Sequence, residues 1–213
     1  NKNNRELVNI FFARSNIYHK KGKFAESAEN LLIANSLKIK MHKSNAKLLI
    51  LKTNQLKAIT KNLKNNDQEC SKNPISIFIV GLPRCGSTLI ESIISLNNEV
   101  KDLGEVNIFE EAFEECRKSK HDFDISESYR NKIKNTNNQT AITTNKWLFN
   151  YQYAGIIAKT IPNAKIIHCY RNPLDNILSM YRAHFGKGNN FSSSLVDSAI
   201  VYSDQDEIMQ TYK

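Results

Sequence analysis

With 213 residues, 40% of them hydrophobic and 24% charged, the chain has the composition of a folded protein able to bury a sizeable core, as one large domain or two smaller ones. No apolar run approaches the ~18–20 residues of a membrane span, and the polar start Asn1-Lys-Asn-Asn4 lacks the apolar core of a secretion signal, so a cytoplasmic protein without a membrane partner is expected. The net charge of +9 is unevenly placed: residues 1–74 hold 15 Lys and Arg against 5 Asp and Glu, residues 75–213 hold 15 against 16, and the basic excess reads as a solvated helical face rather than a nucleic-acid site.

From Glu6 to Leu63 apolar residues fall at helical spacing, for example Leu31, Ala34 and Leu37, with no proline to interrupt them. Within this region Phe11, Tyr18, Gly22, Phe24 and Ala34 occupy the large and small positions of a helix-turn-helix unit and resemble a tetratricopeptide repeat. A plain helical hairpin is the other reading. One repeat cannot bury its apolar face unaided, so further repeats or a neighbouring domain are expected to complete it.

The polar stretch Asn65–Pro74 reads as a linker. A strand Ile75–Val80 follows, then a helix from about Thr88 to Asn97 and a charged stretch that turns helical near Val106–Lys118. Thr140–Thr144 reads as a short strand, Tyr151–Thr160 as a helix stopped by Pro162, and Ala164–Tyr170 as a buried strand. Strands alternating with helices predict an α/β fold, a parallel sheet flanked by helices with ligands at the carboxyl ends of the strands. The expected organisation is a helical region at 1–64, a linker at 65–74 and an α/β domain at 75–213.

Phe78-Ile-Val-Gly-Leu-Pro-Arg-Cys-Gly-Ser-Thr-Leu-Ile-Glu91 runs from strand through a Gly-bracketed turn into a helix, the arrangement whose backbone N–H groups bind phosphate. Gly81 and Gly86 have the spacing of a GxxxxGK[ST] loop, but Ser87 stands where that loop carries its lysine. A nucleotide kinase would need that lysine and a magnesium carboxylate, so another group is expected to be transferred. The Ser87 and Thr88 hydroxyls and the Arg84 cation remain to hold one phosphate. A second corner, Arg171-Asn-Pro-Leu-Asp175, follows the last strand, with Asn172 suited to cap a helix opened by Pro173, Asp175 in its first turn and Ser179 two turns along. Arg171 and Ser179 there suit a second phosphate.

The four cysteines, Cys70, Cys85, Cys116 and Cys169, form no CxxC pair and no zinc pattern, so free thiols and no metal are expected. Cys85 lies inside the phosphate loop; loop packing accounts for it as well as a nucleophilic role does. His121, His168 and His184 read as structural.

Gly81–Leu89 resembles the 5′-phosphosulfate loop of sulfotransferases, and Tyr170–Tyr181 resembles their 3′-phosphate segment. Together with Gly22–Ser36, Leu103-Gly-Glu-Val106, Thr144-Asn-Lys-Trp147 and Pro162–His168, these segments are most similar to bacterial sulfotransferases with an N-terminal tetratricopeptide array, whose catalytic domain is related to protein-tyrosine sulfotransferases. The resemblance implies a P-loop-type sulfotransferase domain and transfer of a sulfuryl group from 3′-phosphoadenosine-5′-phosphosulfate (PAPS) to a hydroxyl or amine, leaving 3′,5′-adenosine bisphosphate, with no metal.

By position it implies that Arg84, Cys85, Gly86, Ser87 and Thr88 surround the 5′-phosphosulfate, while Arg171, as a buried cation, and Ser179 hold the 3′-phosphate that ATP lacks. Glu105 matches the catalytic carboxylate, and Lys146 matches a lysine near the transferred group. Asn145 and Trp147 depart from the Asp and Met common in relatives. The domain is short at its C-terminus by family standards, the chain does not begin with methionine, and it ends in the helical stretch Asp206–Lys213, so a fragment of a longer protein is expected.

The acceptor, whether peptide tyrosine, sugar or small molecule, is not legible, nor is a protein partner or self-association through the helical region. An interaction protein carrying an inactive sulfotransferase-like domain is the alternative; Arg84, Glu105, Lys146, Arg171 and Ser179, all retained, favour the enzyme.

Overall fold

The computed structural model describes residues 2–64, 74–118, 124–134, 142–186 and 188–212, with the side chain of Lys2 excepted. Residues 65–73 of the expected linker, with Cys70, and likewise His121, Thr140 and Ala141, lie outside the described residues. The chain forms two compact units, each built from separated segments: residues 1–51 with 172–204, and residues 52–171 with 205–213.

The first unit is helical. Helices α1 (Lys2–Lys20) and α2 (Phe24–Met41) are joined by a tight turn in which Gly22 takes φ 72° and the Lys23 N–H reaches back to the Tyr18 carbonyl at 3.0 Å. That left-handed residue ends α1 without the steric cost a side chain would carry. Ser15 and Ser27 lie buried between the two helices, each hydroxyl donating to the other's backbone carbonyl at 2.9 Å, which lets the backbones approach closely. Val8, Phe12, Leu31 and Ala34 form the core with Tyr181. Tyr181 comes from helix α8 (Pro173–Arg182), whose Tyr181 carbonyl accepts from Asn35 Nδ2 at 3.1 Å. Phe24, one of the repeat-like positions, is 64% exposed.

The second unit holds a four-stranded parallel sheet in the order β2 (Val100–Asp102), β3 (Ile142–Asn145), β1 (Ile75–Gly81), β4 (Ala164–Cys169). Helices α4 (Ser87–Ile94), α5 (Ile108–Lys118), α6 (Ile125–Lys134) and α7 (Ala154–Thr160) belong to the same unit. The fold is therefore α/β with a parallel sheet and flanking helices, as a sulfotransferase-like fold requires, and a helical N-terminal region is present.

Phe78 of β1, Phe109 of α5 and Tyr129 of α6 are fully buried and meet with ring centroids 5.4–5.9 Å apart. This aromatic layer anchors one face of the central strand. Gly155 lets α7 close on its neighbours, since a Cβ there would stand 2.6 Å from the Tyr212 ring.

Several elements differ from expectation. Helix α4 ends at Ile94, before Asn97, and the segment before α7 is a 3-10 turn, Leu148–Tyr153. Strand β4 was expected to be buried throughout, yet only Cys169 is, because β4 is an edge strand of the sheet and Tyr170 beyond it is 74% exposed. Strand β2 and helix α6 were not anticipated. Among the described residues no helix is long and apolar enough to cross a membrane.

Candidate functional site

All four strands being parallel, the ends of β1, β3 and β4 share the carboxyl edge of the sheet, where open α/β folds bind ligands. β1 finishes at Gly81, which pairs with Cys169; a Cβ on Gly81 would overlap the Cys169 carbonyl oxygen, so the strand can leave the sheet here only as glycine. The chain then turns tightly, the Cys85 N–H reaching the Leu82 carbonyl at 3.3 Å, with Arg84 at φ 72° and Gly86 at φ 102° before α4 begins at Ser87. Arg84 holds a left-handed conformation that side chains seldom adopt, a cost of roughly 1–3 kcal/mol that recurs where a loop is shaped for a ligand.

Arg84, Cys85, Gly86, Ser87, Thr88 and Arg171 line one cavity of about 460 Å³, within the usual range for small-molecule sites. Its lining is two guanidinium groups, two hydroxyls, a thiol and the start of a helix, with no carboxylate among these six. Such a lining suits a multiply charged anion. Five of the expected cofactor residues and Arg171 are thus brought together. Arg171 is exposed rather than the buried cation expected, because it lies just beyond the end of an edge strand. Ser179 lies two turns into α8, in the first unit.

Lys146 follows β3 directly and is 5% exposed. Its Nζ donates to Glu105 Oε1 at 2.9 Å and stands 3.6 Å from Glu91 Oε2. The turn that brings Glu105 there is an extension of the sheet: the Leu103 N–H donates to the Thr144 carbonyl at 3.0 Å and the Lys146 N–H to the Gly104 carbonyl at 2.9 Å, while Gly104, at φ 69°, donates its N–H to the Asp102 carboxylate. Burial opposes the Lys146 charge, but the hydrogen bond to Glu105 and the fields of Glu105 and Glu91 outweigh it and raise its pKa. Lys146 is therefore held as a cation. The Glu105 side chain is 64% exposed and open to a ligand.

Glu91 was missed in the sequence. It lies one turn past Ser87 on α4, is 5% exposed, and accepts from Thr144 Oγ1 at 3.1 Å. Burial, then the charge of Asp102, raise its pKa against the opposing pull of Lys146 and Thr144. The available signal was a lone carboxylate in the otherwise uncharged helix Ser87–Ile94, four residues from a buried serine. Asn145 also has a structural role: its Nδ2 donates to the Val106 carbonyl at 3.2 Å while its Oδ1 accepts from the Trp147 N–H at 3.0 Å. An aspartate could not make the first of these.

His184 stacks on Phe12 at 4.5 Å and His168 packs near Tyr170 at 5.8 Å. Cys85, Cys116 and Cys169 are free thiols.

Over 135 residues the chain is 30% identical to an uncharacterized protein of Aquifex aeolicus (strain VF5), a match covering 54% of this chain and 18% of that protein, so the chain spans about a fifth of its relative's length. Residues 108–212, which include Lys146, Arg171 and Ser179, match the model of the Sulfotransferase family.

Proposed function

We propose that the chain carries a PAPS-dependent sulfotransferase domain that moves the sulfuryl group to a hydroxyl or amine acceptor by in-line displacement, preceded by tetratricopeptide-like helices. The observation that carries this reading is the cavity formed by the lysine-less loop Arg84–Thr88 and Arg171, with no carboxylate among these described residues. Its donors fit the anionic groups of such a nucleotide: N–H groups at the start of α4, the Ser87 and Thr88 hydroxyls and Arg84 for the 5′-phosphosulfate, and Arg171 for the 3′-phosphate. Ser179 is assigned to the 3′-phosphate by family register alone.

PAPS supplies the sulfuryl group, and the protein's part is to orient it and manage charge and protons around it. Glu105, exposed and in contact with Lys146, takes the proton from the acceptor. Lys146 and Arg84 offset charge that grows on the leaving oxygen, as lysine and arginine clamps do in phosphoryl transfer. Because Lys146 holds its proton more tightly than an ordinary lysine, it acts by charge rather than as an acid. Glu91 keeps Lys146 in place from behind, so the Glu105 contact can be exchanged for substrate without leaving the ammonium unpaired.

The test is Arg171→Ala. Loss of a charge-assisted pair is expected to weaken binding of 3′,5′-adenosine bisphosphate by roughly 10–100-fold and to leave 5′-AMP nearly unchanged, read by isothermal titration. Equal losses for both ligands would remove the 3′-phosphate assignment.

A further inference from the structure

Cys85 and Cys169 are placed together by the fold. Gly81 pairs with Cys169, and the point where a Gly81 Cβ would stand is 3.2 Å from Cys85 Sγ and 3.4 Å from the Cys169 carbonyl carbon. The loop thus folds the Cys85 side chain back over the end of its own strand and onto the neighbouring strand, where its sulfur comes within hydrogen-bond reach of the Cys169 thiol. Cys85 is half-buried and lines the cavity, so a small reagent can reach it; Cys169 is 7% exposed.

The two thiols are unequal. The Cys169 hydrogen bond lowers the Cys85 pKa to about 6; burial opposes this, while the Ser87 N–H, the Ser87 hydroxyl and the N–H of Cys85 itself add to it. Cys169 is pushed up because it keeps the shared proton and is buried. Cys85, the thiol that faces the cavity, is thus the better nucleophile of the two, with Cys169 behind it. The donors on the Cys85 sulfur, the N–H and hydroxyl of Ser87, are also those that a phosphate in the cradle would need.

We propose that Cys85 and Cys169 are a dithiol modification site which hydroperoxides close into a disulfide across the carboxyl ends of β1 and β4. First the Cys85 thiolate attacks one peroxide oxygen; the O–O bond breaks, hydroxide leaves and takes a proton from solvent to become water, and Cys85 becomes a sulfenic acid. Then the Cys169 sulfur attacks Cys85, its proton passing to the departing hydroxide; the S–S bond forms, the S–O bond breaks and a second water leaves. Two thiols lose two electrons and one hydrogen peroxide becomes two waters.

The consequence rests on the proposed function. To admit a phosphate, the Cys85 side chain must release the Ser87 donors, which a thiol can do by rotating about χ1. A side chain bonded to Cys169 is fixed over Gly81 and cannot, so oxidation shuts the cradle.

Hydrogen peroxide applied to the whole chain, followed by thiol blocking, digestion and mass spectrometry, tests the site without reference to any nucleotide. The expected product is a linked Cys85–Cys169 peptide, with two hydrogens lost from the intact mass and regained with dithiothreitol. Cys116, whose pKa is raised by burial and by Asp124 and Glu115, is expected to remain a free thiol. In Cys169→Ser the sulfenic acid on Cys85 should persist and be trapped by dimedone. Peroxide that leaves Cys85 and Cys169 unlinked, or that carries Cys85 on to a sulfinic acid beside a free Cys169, overturns the site.

Linked protein is expected to bind 3′,5′-adenosine bisphosphate at least about tenfold more weakly than reduced protein. Unchanged binding would overturn the closing of the cradle. A linked peptide in a chain whose reduced form binds no bisphosphate would uphold the dithiol and refute the nucleotide reading instead.

Discussion

At Gly81–Ser87 a strand enters a helix through a left-handed turn, with Arg84 at φ 72°, Gly86 at φ 102° and no side chain at the cap. At Arg171–Pro173 the strand enters a helix through an asparagine cap, whose Oδ1 accepts from the N–H groups of Leu174 at 3.0 Å and Asp175 at 3.3 Å. The second helix therefore spends its exposed N–H groups on its own side chain, while the first begins at the cavity with no such cap, its Ser87 N–H bonded to the Cys85 sulfur. Two corners that look alike in sequence as anion sites thus differ in kind: the first lines the cavity with a helix start as well as side chains, while the residue of the second that lines it is Arg171.

The largest expected effect lies outside both corners. If they bind and Glu105 moves the proton, Glu105→Ala should lower turnover by roughly 10²-fold or more while leaving 3′,5′-adenosine bisphosphate affinity nearly unchanged. Undiminished turnover would mean that the base is elsewhere. Next, Arg84→Gly removes a cation and also the strained left-handed side chain. Nucleotide affinity should fall by roughly 10–100-fold, with thermal stability held or raised by about 1 kcal/mol. A loss of stability in that variant would show that the turn is not strained as described.

The smallest effect sharpens the contrast most. Asn172→Ala removes the cap and should cost about 1 kcal/mol of folding stability without changing nucleotide affinity, measured by denaturant unfolding and titration. An affinity change as large as that of Arg171→Ala would place the second helix terminus in the site after all.

Most of the sheet was legible because its signals are local. Ile75–Val80 is a short apolar run ended by glycine, and Asn172, Pro173 and Asp175 spell a helix start that the structure reproduces. Strand β2 is three residues, two of them charged, and carries no such signal. Helix α6 had Tyr129 and Ile133 at helical spacing, masked by charged neighbours.

The site was legible as a set of residues but not as contacts. That Glu91 meets Lys146, that the Cys85 sulfur meets Cys169, and that residues 172–204 group with residues 1–51 are consequences of which strands and helices lie side by side. No periodicity within a segment reports them.

Thermal stabilisation of the reduced chain by 3′,5′-adenosine bisphosphate, set beside 5′-AMP and ATP at equal concentration, tests the central claim most directly, since a ligand selective for the native state raises stability by mass action. The account predicts a rise in Tm with the bisphosphate that clearly exceeds the rise with either other nucleotide. An equal or larger rise with ATP would contradict it.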